Sequence, residues 1–134
     1  MKQYRVNFFT LFALLVAAIA FSSLNCAGTV TLDNIRDQPD WGPTGYDQAS
    51  YYYIPDIDAY YSVSDHQYIY RDGSDWKHAA SLPSTYSGYD PYHSYKVVVN
   101  HDKPYQDNDS HRSQYGKFKG VKDQPVIRDS HEQK

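Results

Sequence analysis

Residues 51–82 read YYYIPDIDAYYSVSDHQYIYRDGSDWKHAASL, and the spacing inside this stretch decides the fold. Side chains of a strand alternate between two faces, so a period of two marks extended chain and a period near 3.6 marks helix. The period here is two. Tyr61 and Val63 share one face, with Tyr60 and Ser62 opposite; Tyr68 and Tyr70 stand likewise against Ile69 and Arg71. Trp76, His78, Ala80 and Leu82 follow, against Lys77, Ala79 and Ser81. Asp72-Gly73 between two such runs signals a hairpin, because glycine accepts the positive φ of a tight turn. These runs predict a meander over 59–82. Tyr51–Ile54 predicts a strand stopped at Pro55, and Tyr95–Asn100, with three consecutive valines, predicts another after the meander. The expected fold is small, all-β and antiparallel, with four to five short strands.

Composition narrows the rest. The chain has 134 residues, 13 Lys plus Arg against 16 Asp plus Glu, 15 Tyr and a single Cys. That leaves no disulfide scaffold, no cysteine zinc finger and no strongly basic nucleic-acid binder. Upstream of the strands, Lys2 and Arg5 precede an apolar run from Phe8 to Phe21, and small and polar residues follow. This is the order of a secretory signal peptide, expected over 1–25. Fourteen helical residues span about 21 Å against about 30 Å of hydrocarbon, short for a permanent anchor. Cys26 stands where a lipoprotein signal is cut, and a lipid thioether there would dispose of an otherwise unpaired exported thiol. Leu24-Asn25-Cys26 resembles a bacterial lipobox, with Ser23 and Asn25 in place of its usual Leu and small residue.

Residues 26–45 read as the lipid-anchor Cys and a tether, 46–106 as the Tyr-rich β domain, and 107–134 as a polar, mobile tail in which Pro125-Val126-Ile127 could pair briefly. Without the signal the charge is 11 − 16 = −5, since Lys2 and Arg5 leave with it and no acid does. Only 15 of residues 27–134 are Ile, Leu, Val or Phe, so tyrosine has to supply what aliphatics normally do.

Three kinds of site come into question on this frame. Tyr51, Tyr52, Tyr53 and Tyr60, with Trp76 and the nearby Asp56 and Asp58, are the candidate ligand surface. Three consecutive tyrosines on a strand cannot all face one side, and exposed rings beside carboxylates suit sugar rings or protein contacts. The competing reading is that tyrosine fills both faces of a thin sheet. Metal binding finds no support: His66, His78, His93, His101 and His111 lack ligand spacing, and the run from Asp107 has Arg112 where a calcium loop needs glycine. Catalysis has no motif. Asp56 and Asp58 would share a face on extended chain, a minimal pair for a hydrolase, although Pro55-Asp56 is equally turn chemistry. No cofactor is expected.

The set Tyr51-Tyr52-Tyr53-Ile54-Pro55-Asp56-Ile57, Tyr60-Tyr61, Tyr68-Ile69-Tyr70, Gly73, Trp76, Leu82-Pro83 and Tyr95-Lys96-Val97-Val98-Val99 resembles a group of small exported bacterial proteins of uncharacterised activity. The resemblance implies a bacterial, extracytoplasmic protein and brings no catalytic or ligand residues. The expectation is an envelope lipoprotein, not an enzyme, held to the membrane by a lipid on Cys26. Its remaining partners would be a glycan or an envelope protein, and not nucleic acid. A soluble secreted carbohydrate-binding module is the alternative, and a hydrolase using Asp56 and Asp58 the second.

Overall fold

A computed structural model describes residues 34–132. Residues 1–25, where a signal peptide is expected, and Cys26 lie outside the described residues. Five strands form one antiparallel sheet: β1 (Tyr51–Ile54), β2 (Ala59–Ser62), β3 (Gln67–Asp72), β4 (Asp75–Ala79) and β5 (Val97–Val99), in the order β4-β3-β2-β1-β5. The two described α-helices are α1 (Asn108–Tyr115) and α2 (Ile127–Glu132).

The turns follow from their residues. β1–β2 and β2–β3 are each closed by four residues, 55–58 and 63–66, and each loop ends on a left-handed residue, Asp58 (φ 48°) and His66 (φ 53°). Asp and His are among the few side chains that tolerate this conformation. The β3–β4 hairpin pairs Asp72 with Asp75, so its loop is Gly73-Ser74 with Gly73 at φ 64°. Glycine at the first loop position is what the type II′ hairpin turn favours.

Register places the tyrosines. Tyr52 pairs with Tyr61 and Val98, and this face of the sheet carries Tyr52, Ile54, Tyr61 and Tyr68. Tyr53 pairs with Tyr60 and Val97, and the other face carries Tyr53, Tyr60, Ile69, Trp76 and Val99. Both faces are covered. Trp41, Ala49 and Tyr89 pack on the first, and Tyr105, His111 and Tyr115 on the second. The consecutive tyrosines therefore go inward on opposite sides, and the thin two-sided sheet is the arrangement found.

A tyrosine core works only if its hydroxyls are satisfied. Tyr52 donates to Gln38 Oε1 at 2.9 Å, Tyr53 to Asp58 Oδ1 at 2.9 Å, and Tyr60 lies 2.9 Å from His111 Nδ1. The rings meet in tilted and edge-on pairs, Trp41–Tyr61 at 4.7 Å, Tyr61–Tyr68 at 5.0 Å and Tyr53–Tyr60 at 5.1 Å, geometries that match ring quadrupoles.

Three details of the flanking segments bear on the site. First, in the described part of residues 26–45, Gln38, Gly42 and Pro43 are buried, and the Asn34 side-chain amide makes two bonds with the Ala49 backbone at 2.7 and 2.9 Å. Second, several residues of the 107–132 segment pack on the body. Asn108, His111 and Val126 are buried, and Pro43 bridges Val126 with α2 starting directly after. Buried Asn108 is also closed to use as the glycosylation acceptor that Asn108-Asp109-Ser110 spells. Third, the last strand is shorter than 95–100. Lys96 passes its backbone N–H and C=O to the Gln124 side chain at 2.8 and 2.9 Å, and the Asn100 side-chain Oδ1 takes the Ser50 N–H at 2.8 Å.

Candidate functional site

Asp56 and Asp58 sit in the β1–β2 turn, which meets two further loops. Thr85, Tyr86, Gly88 and Tyr89 come from the segment after β4, and Lys119 and Gly120 from the segment after α1. Together with Ile57 they line an open cleft of about 610 Å³, inside the size range of small-molecule sites.

The walls are held by packing on the sheet. Tyr86 stands edge-on to Tyr70 at 5.9 Å, and its hydroxyl reaches toward the Arg71 carbonyl at 3.4 Å. Tyr89 stands edge-on to Tyr68 at 6.4 Å. Burial drives the Tyr89 pKa strongly upward, and its buried hydroxyl has no hydrogen-bond partner among the described residues.

Both carboxylates of the cleft are already engaged. Asp56 accepts the Gly120 N–H at 2.6 Å and pairs with the Lys122 ammonium. Burial alone would raise its pKa, but the Gly120 N–H and Lys122 lower it, so the group stays charged. Asp58 Oδ1 accepts from Tyr53 Oη and Asn108 Nδ2, both at 2.9 Å, and its Oδ2 lies 3.3 Å from the Arg112 guanidinium. The same Arg112 donates to Asn108 Oδ1 at 2.9 Å, which fixes the orientation of that amide.

Asp58 thereby belongs to two places at once. Its exposed edge borders the cleft, and its bonded oxygens anchor a polar chain through Asn108 and Tyr60 to His111 beneath α1. Lys96 is the other buried charge. Its ammonium donates to the Pro91 carbonyl and lies 5.9 Å from the Trp41 ring centre. Burial pushes its pKa down to about 8, against the pull of Asp90 and Asp56.

The expected ligand surface is not one surface. Tyr52, Tyr53 and Tyr60 are core residues, at most 1% exposed, and no sugar ring can stack on them. Tyr51 and Trp76 are half-buried on the face under α1, with Arg71 5.0 Å over the Trp76 ring. Of the residues singled out, Asp56 and Asp58 alone line the cleft. Tyr86 and Tyr89 were missed because they lie in a short 3-10 turn and the loop after it, following Pro83, where no alternation marks which ring faces what. Among the described residues no group of three or more His, Cys, Asp or Glu is placed to hold a metal, and no helix is long and apolar enough to cross a membrane. Comparison with protein families, characterised proteins and solved structures finds no match to this chain.

Proposed function

We propose that the protein is a bacterial lipoprotein of the cell envelope, lipidated on Cys26, whose folded body binds a partner without transforming it. The observation that carries the binding half is the commitment of Asp56 and Asp58. A general acid or base must exchange its proton with a substrate. These two carboxylates instead hold the Gly120 N–H, Lys122, Tyr53, Asn108 and Arg112, and their geometry is that of structural acceptors bordering a cleft. The membrane half rests on sequence: an apolar run too short to span, followed by the single cysteine of the chain.

Mass spectrometry of the membrane fraction tests the anchor. The expected mature N-terminus is a diacylglycerol-modified Cys26, and Cys26→Ala should move the protein to the soluble fraction. Any other mature N-terminus overturns the lipoprotein reading and leaves a soluble secreted binding module in its place. Asp56→Asn and Asp58→Asn test the hydrolase alternative, which requires that a glycosidase or esterase activity exist and vanish in both variants.

A further inference from the structure

We infer that the cleft between the 55–58 turn, the 84–89 segment and Lys119-Gly120 takes an uncharged, hydroxyl-rich saccharide. The inference rests on the binding role proposed above and names its site and ligand class.

The chemistry of the lining argues for this class. Ile57 and the Tyr86 and Tyr89 rings supply the apolar wall, against which the CH face of a sugar ring loses water favourably. Asp56 and Asp58 are acceptor-only groups with two oxygens each, so whatever they accept beyond the bonds they already make comes from donors on the ligand. Hydroxyls provide them. Charge excludes the neighbouring classes. The body as a whole is acidic, with 16 acids against 11 bases in residues 27–134, and so opposes an anionic polymer. A cation gains little either, because Lys122 already neutralises Asp56, Arg112 already neutralises Asp58, and Lys119 borders the same space. What remains is a ligand with donors and no net charge.

The site also lends itself to a clean block. A Cβ built at Gly88 meets no atom within 4 Å, and its φ lies outside the left-handed range. Gly88→Leu therefore adds bulk to the cleft and leaves the fold alone.

The test is calorimetric titration of the full chain with chitotetraose and cellotetraose, and with an alginate tetramannuronate as the anionic probe. Saturable binding of a neutral tetrasaccharide is expected. It should weaken by about tenfold or more in Gly88→Leu and in Tyr86→Ala, with the melting temperature of Gly88→Leu unchanged. The anionic probe should bind about tenfold more weakly or not at all. Absence of saturable heat with both neutral probes overturns the inference, as does equal binding by Gly88→Leu or a preference for the anionic probe. The anchor is read separately, at Cys26, so failure at the cleft with lipidation intact removes the saccharide assignment alone.

Discussion

The Tyr60 hydroxyl lies 2.9 Å from His111 Nδ1 and also accepts a bond from Asn108 Nδ2 at 3.3 Å. With Asn108 donating to it, Tyr60 has its own hydrogen free for His111 Nδ1, an arrangement open only to the neutral imidazole that carries its proton on Nε2. This bond joins β2 to α1 across the second face of the sheet, so the docking of α1 depends on the charge of one histidine.

Acid should therefore loosen the body. Burial lowers the His111 pKa below its ordinary 6.5, the facing His101 ring at 5.6 Å lowers it further, and Asp107 opposes both. As pH falls through 6.5, the unfolded chain takes up a proton at this position that the folded chain resists. Stability is thus full above pH 6.5 and declines until the depressed folded value is passed. Denaturant unfolding at pH 7.5 and pH 5.5 should show a loss, and His111→Phe should flatten that difference while costing about 1 kcal/mol at neutral pH from the unpaired Tyr60 hydroxyl.

Alkali should act in two opposite steps. Lys96 is buried with a pKa near 8, below its ordinary 10.5, so the folded chain releases this proton before the unfolded one does. Stability gains up to about 3 kcal/mol between pH 8 and 10.5 from this group. Burial raises Tyr60 and Tyr68 to about 12, and Tyr52, Tyr53 and Tyr89 further still, so above pH 10 the unfolded chain ionises tyrosines that the folded chain keeps neutral. Stability then falls. A melting-temperature scan from pH 7 to 11.5 should peak between these windows, and Lys96→Met should erase the rising limb while keeping the falling one. Absorbance titration at 295 nm should show the buried tyrosines ionising only as the protein unfolds.

The parts of this fold that announced themselves did so through period and turn chemistry. Tyr51–Ile54, the two Asp- and Gly-bearing turns and the pairing order of the meander follow from alternation and from which residues accept positive φ. The covering layers did not. Asn108, His111 and Tyr115 are the inward positions of α1, and all three are polar or amphipathic, so the helix carries no apolar stripe to read. Lys96 misleads in the same way, since a lysine between Tyr95 and Val97 looks like the solvent face of a strand and is fully buried. The cleft was half visible. Its acids lie in a recognisable turn, whereas its rings belong to a short 3-10 turn and the loop after it, whose placement depends on contact with Tyr68 and Tyr70.

A methyl group at Gly42 should be expensive. A Cβ there would stand 2.6 Å from the Tyr52 hydroxyl, 3.0 Å from the Pro39 carbonyl oxygen and 3.2 Å from Ile127 Cδ1. None of these can step aside freely. The Pro39 carbonyl accepts the Gly42 N–H at 2.7 Å, and the Tyr52 hydroxyl is bonded to Gln38 in the core. Gly42→Ala should lose about 1–3 kcal/mol of stability by denaturant unfolding, as overpacked cores do. Gly88→Ala, with open space around its Cβ, is the matched control and should change it by less than about 0.5 kcal/mol.

Truncation separates a covering layer from a tail. Ending the chain at Gln106 removes α1 and with it His111 and Tyr115 from the face formed by Tyr53, Tyr60 and Trp76. It also removes Gln124, which caps both backbone groups of Lys96, and Val126, which bridges Pro43. Asp58 would lose Asn108 and Arg112, leaving a partly buried carboxylate bonded to Tyr53 alone among these partners. A tail that merely trailed could be cut without consequence. Here the shortened chain should lose its near-ultraviolet circular dichroism and its cooperative unfolding transition, because an aromatic sheet face stripped to water and an unpaired acid beneath it remove stabilisation comparable to the several kcal/mol that hold a small domain together. Retention of both signals by the truncated chain would show that the first face of the sheet, with Trp41 and Tyr89, is a sufficient core.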